Sequence, residues 1–306
     1  MLKKAEVFAF ETRPGDPFPN SQYFELGDYK IHYRVDPAEG KQIAKAFLLH
    51  GFACNTQFFQ EMVDILTKQG ITCVRADLPD FGFSTREYKG IRHIAQKDIF
   101  ATMLNDLDED GSGWLLFGHS MGGSVSMQMA LDEVDKPAAE KKINALILYA
   151  PLLMRDLRPA QRKMMMDGPV GKFLDWGLPY FTPYDGLWKF IGYLMTFDKD
   201  YVKDMSPHLY CDALQVEHIG SGAAYMTAVA TRPDLKDLAK LTLPTQVIFG
   251  LKDVFVMPPV ALKIWRSMPK QADKTYWVNA AHCFLQNQAD RTFAETKKFL
   301  QKNGLI

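Results

Sequence analysis

A serine flanked by glycines, in Gly118-His119-Ser120-Met121-Gly122, directly follows the apolar residues 114–117. This pattern predicts a buried strand, a sharp turn and the start of a helix, with the Ser120 hydroxyl exposed at the tip of the turn. The flanking residues are small because a strained turn of this kind leaves almost no room for side chains. The first amides of the helix would point at the same place, where an oxyanion would form. The pattern indicates a serine nucleophile, but ordinary turns can imitate it, so other residues must agree.

A serine nucleophile needs a base within hydrogen-bond reach, and the base needs an acid that fixes its tautomer. His282 follows a predicted strand at residues 275–278, and Asp253 follows another at residues 245–249. Both residues therefore come just after strand ends, in the chain order serine, acid, histidine. Asp156, which follows the preceding strand, is the alternative acid. We prefer Asp253 because it lies within four residues of a clean strand.

Short strands must bring these residues together, and the chain contains a regular series of them. A hairpin is predicted at residues 22–35, because apolar and polar residues alternate after the Gly27-Asp28 turn. Most of the remaining strands are apolar runs typical of buried parallel strands, and helical stretches lie between them. They are residues 46–50, 71–76, 113–117, 145–149, 245–249 and 275–278, with one of the helices predicted from about 91 to 107. This alternation predicts an α/β protein with a doubly wound, mostly parallel sheet, in which ligands bind at the carboxyl ends of the strands.

The alternation of strands and helices stops between residues 152 and 240. The sequence there is helical in character, interrupted by prolines and rich in methionine and aromatic residues. We predict that residues 152–240 form a helical cap inserted between two parts of one core domain, residues 1–151 and 241–306. The apolar side chains of the cap could line a substrate pocket, so we suspect that the substrate binds there. More of them are expected to form the cap's own core.

Five motifs, in this order along the chain, resemble those of the α/β-hydrolase superfamily. The resemblance is to its capped branch, which has monoglyceride-lipase-like, esterase and proline-iminopeptidase-like members. The motifs are Leu-His-Gly-Phe at 49–52, Asp-Leu-Pro-Asp-Phe-Gly-Phe-Ser at 77–84, Gly-His-Ser-Met-Gly-Gly at 118–123, Gly-Leu-Lys-Asp at 250–253 and Ala-His-Cys-Phe at 281–284. The resemblance implies an α/β-hydrolase fold and a catalytic triad of Ser120, Asp253 and His282.

The same resemblance implies an oxyanion hole made of two backbone amides. These are the amides of Met121, after the nucleophile, and of Phe52, in the His-Gly-Phe motif, with Ala53 the less favoured choice for the second. His50 and His119 belong to the motifs and are expected to be scaffold residues.

Four further residues in or beside the motifs are expected to be structural. Asp77 is expected to be an aspartate that is hydrogen-bonded within its loop. Asp80 stands where the family has glycine, and aspartate tolerates the left-handed backbone of such a turn. Cys54 and Cys283 are expected to be small buried hydrophobic residues.

Composition excludes several other classes of protein. Lys plus Arg and Asp plus Glu number 36 each, so neither a nucleic-acid surface nor a polybasic membrane patch is expected. Four scattered cysteines without a CxxC pair suit a reduced protein. No secretory signal and no 18-residue apolar run are found, so the expectation is a cytoplasmic protein without a transmembrane segment. No residues have metal-ligand spacing, so neither a metal nor a cofactor is predicted.

The expected activity is hydrolysis of a small-molecule carboxylic ester through an acyl-enzyme. Two alternatives stay open. The same triad could act on carbon–carbon or amide bonds or in cofactor-free perhydrolysis, or the chain could be a non-catalytic hydrolase-like ligand-binding protein. An intact triad argues against the second alternative. The sequence does not define the substrate or the oligomeric state.

Overall fold

The computed structural model describes residues 18–86, 93–153, 169–205 and 233–306, and these contain one eight-stranded sheet. The strands run across the sheet in the order β1-β2-β4-β3-β5-β6-β7-β8. Their bounds are β1 Ser21–Leu26, β2 Tyr29–Asp36, β3 Ala44–Leu49, β4 Ile71–Ala76, β5 Trp114–His119, β6 Ile143–Tyr149, β7 Thr245–Gly250 and β8 Asp273–Trp277. The predicted doubly wound, mostly parallel sheet is confirmed.

The six strands β4, β3, β5, β6, β7 and β8, in this order across the sheet, are parallel to one another. The hairpin lies at one edge, where β1 pairs antiparallel with β2 and β2 pairs antiparallel with β4. Leu49, the last residue of β3, is in register with both Ala76 of β4 and Gly118 of β5. Gly250 of β7 is in register with Trp277 of β8. The parallel strands therefore end at one edge of the sheet, and the loops that follow them meet there.

Helices cover both faces of the sheet. Their bounds in the described residues are α1 Gln60–Lys68, α2 Gln96–Asp106, α3 Ser120–Asp132, α4 Pro169–Phe181, α5 Asp185–Thr196, α6 Lys199–Asp204, α7 Pro258–Ser267, α8 Phe284–Asn287 and α9 Ala289–Lys302. One apolar core joins the sheet to α2, α3 and α7, and another joins it to α1, α8 and α9. Along β3, Phe47 belongs to the first core and Leu48 to the second. Because a central strand contacts one core on each face, its side chains are apolar on both faces. This explains the unbroken apolar runs of the sequence.

Two details differ from the local sequence patterns. The helix expected from about residue 91 begins at Gln96, because Ala95 is extended, with φ −62° and ψ 138°; residues 87–92 lie outside the described residues. The one-turn 3-10 helix before α1 is capped by Asn55, whose side chain accepts a hydrogen bond of 2.8 Å from the Gln57 amide. The flanking contacts of each segment, not its apolar spacing, set these boundaries.

Helices α4, α5 and α6 lie between β6 and β7 in the chain, within the segment predicted to form a cap. They contact the main sheet domain through specific hydrogen bonds. Tyr201 of α6 donates to Glu61 of α1 over 2.9 Å, and Asn287 of α8 donates to Asp198 over 3.0 Å. The domain boundaries at 151/152 and 240/241 stay a prediction. None of the helices in the described parts of the chain is both long and apolar enough to cross a bilayer.

Candidate active site

Ser120 lies where β5 turns into α3, at the carboxyl edge of the sheet. It is the first residue of the helix and has φ +50°. A left-handed backbone costs about 1–2 kcal/mol for a residue with a Cβ, so the surrounding contacts must hold this turn in place. A Cβ on Gly122 would overlap the carbonyl oxygens of Leu49 and His50. Glycine at this position therefore allows α3 to start directly against the end of β3.

His282 and Asp253 form a buried pair on the loops after β8 and β7. The Nδ1–H group of His282 donates to Oδ2 of Asp253 over 2.7 Å, and the two residues are only 5% and 3% exposed. The other oxygen, Oδ1, accepts hydrogen bonds from the amides of Phe255 (2.8 Å) and Val256 (2.7 Å). Because both carboxylate oxygens are used, Asp253 fixes the imidazole and leaves Nε2 as the atom that can take a proton.

The loops that carry this pair are held together by backbone hydrogen bonds. Leu251 donates to the carbonyl of Trp277 over 2.8 Å, and Lys252 donates to that of Ala280 over 2.9 Å. These bonds continue the pairing of β7 with β8 beyond the strand ends. Asp253 and His282 are thus positioned by the sheet itself, although they are 29 residues apart.

His119 connects the serine turn to the histidine loop. Its Nε2–H group donates to the carbonyl oxygen of His282 over 3.1 Å, and the centroids of the two imidazole rings are 4.7 Å apart. Burial, and then the repulsion from His282, lower the pKa of His119 well below its usual value. A neutral His119 next to Ser120 thus fixes the backbone of His282 without adding a charge to the site.

The backbone after β3 approaches the same serine. The amide of Cys54 donates to the carbonyl of Gly51 over 3.3 Å and closes a turn in which Ala53 has φ +56°. A Cβ on Gly51 would lie 3.0 Å from the Cβ of Ser120. The turn that carries the Phe52 and Ala53 amides is therefore packed against the serine.

His50 controls the orientation of one of these amides. The Leu78 amide donates to Nε2 of His50 over 3.0 Å, so the ring proton is on Nδ1, which donates to the Gly51 carbonyl over 2.7 Å. Burial lowers the pKa of His50 and keeps the ring neutral. The Gly51 carbonyl and the Phe52 N–H belong to one peptide group, so this hydrogen bond also fixes the plane of the Phe52 amide.

The other predicted oxyanion donor, the amide of Met121, is at the second position of α3. The first four amides of a helix have no acceptor within the helix, and the positive end of the helix dipole is there. The two amides predicted for an oxyanion hole are therefore on the two backbone segments that meet at Ser120.

The remaining candidate residues are not among the three triad candidates or the two oxyanion amides. Asp156 lies outside the described residues. Asp80 has φ +66°, the left-handed conformation expected for it. Burial raises the pKa of Cys54 to about 12 and raises that of Cys283 as well, with further contributions from neighbouring groups, so neither thiol is activated. Among the described residues, no three His, Cys, Asp or Glu side chains are grouped so that they could hold a metal ion.

Two contacts at this site have no signal in the sequence. The ring of Phe255 packs against that of His282, with centroids 5.2 Å apart. The amide of Cys283, next to His282, donates to the Met195 carbonyl at the end of α5 over 2.9 Å. The first contact covers the catalytic histidine candidate with an apolar ring, and the second links its loop to the helices that precede β7.

Comparison with known proteins identifies the family. The model of the family described as Serine aminopeptidase, S33, matches residues 40–288, a range that includes Ser120, Asp253 and His282. The chain belongs to this family of α/β hydrolases. The Bacillus subtilis (strain 168) protein YisY, of the AB hydrolase superfamily, is 24% identical in an alignment of 276 residues, with 85% of this chain and 91% of that protein covered.

Solved structures of other hydrolases share the fold. An esterase from Thermogutta terrifontis has a TM-score of 0.65 at 21% identity, with 90% of this chain and 94% of that chain covered. The enol-lactonase from Burkholderia xenovorans LB400 has a TM-score of 0.67 at 15% identity, with 92% and 100% covered. A probable hydrolytic enzyme from Pseudomonas aeruginosa PAO1 has a TM-score of 0.68 at 15% identity, with 97% and 99% covered. The protein is a hydrolase with the α/β-hydrolase fold.

Proposed function

We propose that this hydrolase cleaves carboxylic esters through an acyl-enzyme formed on Ser120. The observation that carries the proposal is one juxtaposition at the carboxyl edge of the sheet. Ser120 stands there with φ +50° at a helix N-terminus, next to the loop on which His282 is bonded to Asp253 over 2.7 Å. A strained serine, a base whose Nε2 carries no proton and an acid that fixes its tautomer are the components of serine-nucleophile chemistry.

The reaction proceeds in two halves. In the first, Nε2 of His282 takes the hydroxyl proton of Ser120 as its oxygen attacks the ester carbonyl, and the amides of Phe52 and Met121 stabilise the oxyanion. His282 then gives the proton to the departing alkoxide, and an acyl-serine remains. In the second half, His282 activates a water that hydrolyses the acyl-serine. Asp253 stabilises the imidazolium in both halves without taking the proton.

The contacts of α5 and α6 with the main domain support a cap formed by residues 152–240 over this edge of the sheet, with residues 1–151 and 241–306 as the core domain. The Met195 carbonyl is bonded to the residue after His282. The substrate would bind between the cap and the carboxyl ends of the strands.

The test is labelling with a fluorophosphonate probe, followed by intact mass and peptide mapping. The wild type should gain one adduct, on Ser120, and Ser120→Ala should gain none. The matched control is Ser21→Ala, which changes a serine that is hydrogen-bonded to His32 over 2.8 Å; it should be labelled like the wild type. Absence of an adduct, or an adduct that persists in Ser120→Ala, would disprove the nucleophile.

A substrate comparison tests the bond that is cleaved. We expect p-nitrophenyl esters and alkyl esters to be hydrolysed, and amino-acid p-nitroanilides to be hydrolysed at least about 1,000-fold more slowly, since an amine is a much poorer leaving group. Faster cleavage of the anilides than of alkyl esters would show an amidase instead. This second assay matters because promiscuous activity on activated esters alone does not define the natural bond.

A further inference from the structure

The loop between β7 and α7 exposes more apolar surface than a loop normally does. Four of its side chains are about half exposed: Leu251, Val254, Phe255 and Met257. The same loop carries Asp253, so this apolar surface lies beside the candidate active site. Exposed apolar groups beside a functional site are typical of ligand contact.

Phe255 is the member of this group that touches the site. Its amide donates to Asp253 Oδ1 over 2.8 Å, a role that any residue except proline could perform. The ring of Phe255 has a different environment from its amide. The ring packs on the His282 ring, with centroids 5.2 Å apart, and the residue is 48% exposed. The next residue, Val256, is fully buried. Holding Asp253 in place does not require an exposed aromatic ring on the histidine.

We propose that the Phe255 ring binds an apolar leaving group, so that the preferred substrates are esters of aryl-alkyl or longer alkyl alcohols and not of polyols. This inference rests on the proposed function. His282 protonates the leaving oxygen, so the carbon atoms attached to that oxygen must pass close to the imidazole. Phe255 packs on this imidazole and is about half exposed, so the proposal places the free surface of its ring against those carbon atoms. Ester and water give acid and alcohol, and the alcohol part makes the contact with Phe255 before it departs.

The experiment compares two esters that share one acyl group, benzyl butyrate and 2-hydroxyethyl butyrate, by kcat/KM. This parameter includes only the steps up to acylation, so it reports the alcohol part. The wild type should prefer the benzyl ester. Phe255→Ser should lower kcat/KM about 10- to 100-fold for the benzyl ester and less than about 3-fold for the hydroxyethyl ester, the range expected for losing one apolar contact. Phe255→Leu should retain most of the preference.

The matched control is Ile43→Ser, which changes a side chain that is 51% exposed and directly precedes β3, at the opposite end of the sheet. It should leave the ratio of the two kcat/KM values unchanged. An equal loss on both esters in Phe255→Ser would mean that the ring only supports His282, and it would overturn the proposal. So would a wild type without a preference for the benzyl ester.

Two further measurements separate the possible explanations of the result. If Phe255→Ser does not fold, Phe255→Leu and inhibition of the wild type decide: benzyl alcohol should compete with a small ester and ethylene glycol should not, and equal inhibition contradicts the proposal. Fluorophosphonate labelling of Ser120 separates the two levels of inference. Labelling without a leaving-group effect removes only the role of Phe255, whereas an unlabelled wild type removes the proposed function itself.

Discussion

In two groups of described residues, a serine lies near a histidine that bonds to an aspartate through Nδ1. In the first, Ser21 Oγ is 2.8 Å from Nε2 of His32, whose Nδ1 is 2.8 Å from Oδ2 of Asp77. The second is Ser120 with the pair formed by His282 and Asp253, where the corresponding histidine–acid distance is 2.7 Å. Residue types and the histidine–acid contact are therefore nearly the same in both.

Their surroundings differ. Ser21 begins the edge strand β1, and His32 and Asp77 have no exposed surface, with the His32 ring enclosed by aromatic rings that include Phe83. Ser120 instead starts a helix with a left-handed backbone, and the Gly51 turn is packed against it.

The acid of the first group also ties other segments together. Asp77 accepts hydrogen bonds from the amides of Thr56 (2.5 Å) and Phe83 (2.8 Å) in addition to the one from His32. It thus links β2, the loop after β4 and the segment before α1. A hydrogen-bonded Ser–His–Asp chain is a stable way to bury polar groups, and chemistry additionally needs backbone amides placed beside the serine oxygen.

The largest expected difference is between the effects on kcat of replacing Asp253 and of replacing Asp77. Asp253→Asn should lower kcat about 10,000-fold, because an amide no longer stabilises the imidazolium or holds the required tautomer. The melting temperature should change by only a few degrees, since Oδ1 can still accept the Phe255 and Val256 amides. Hydrolysis of p-nitrophenyl butyrate and a thermal melt give the two values. A kcat within 10-fold of the wild type would assign the acid elsewhere, with Asp156 as the next variant to make.

The corresponding change in the first group, Asp77→Asn, should act on the stability of the fold. Asp77→Asn should lower the free energy of unfolding by about 2–4 kcal/mol, because one of its three buried donors would face an amide NH₂. In the folded protein kcat should stay within about 5-fold, since Asp77 is linked to the site through His50, 3.6 Å away, whose ring is still held by the Leu78 amide and the Gly51 carbonyl. Urea unfolding, with kcat measured well below the transition, tests both. A 1,000-fold loss of kcat without a loss of stability would instead give the first group a catalytic role.

The pH dependence of stability should distinguish Asp77→Asn from the wild type. Burial alone would raise the pKa of Asp77, but the attraction to His32 and the hydrogen bonds from His32 and Phe83 outweigh it and hold that pKa below its usual value. A carboxylate with a lowered pKa stabilises the fold fully above its unfolded pKa of about 4, and this contribution is lost as the pH falls through the folded value.

Between pH 5 and 3 the wild type should therefore lose stability more steeply than Asp77→Asn, by up to about 1.4 kcal/mol per pH unit. Urea midpoints at four pH values in this interval measure the slopes. Parallel slopes for wild type and Asp77→Asn would show that the pKa of Asp77 is the same in the folded and the unfolded protein, and would contradict the prediction.

The smallest expected effect concerns the two serines. Ser21→Ala removes one partly exposed hydrogen bond to His32 and should cost about 0.5–1.5 kcal/mol of unfolding free energy, with kcat within 2-fold of the wild type. Ser120→Ala should abolish turnover and leave stability within about 0.5 kcal/mol. Chemical denaturation and the ester assay on both variants complete the comparison. A loss of activity in Ser21→Ala would be evidence against separate roles.

Much of this architecture follows from local sequence. The apolar runs predict the parallel strands to within about two residues, because a strand buried on both faces has to be apolar throughout. The small residues around Ser120 predict a sharp turn for a steric reason that is also local: Gly122 lies against the end of β3. The order of Ser120, Asp253 and His282 after strand ends predicts that they share one edge of the sheet, since parallel strands end together.

Other features depend on contacts between distant parts of the chain, and only the tertiary structure decides them. Nothing in the pattern around Ser21 or His32 indicates a second Ser–His–Asp group, because its members are brought together by the β1–β2 hairpin and the loop after β4. Likewise the exposed ring of Phe255 reaches His282 only through the pairing of β7 with β8. Sequence determines which residues can do chemistry and where the chain turns, since these depend on side-chain type and local sterics. Which histidine lies beside the serine turn, and what covers that histidine, depends on long-range packing.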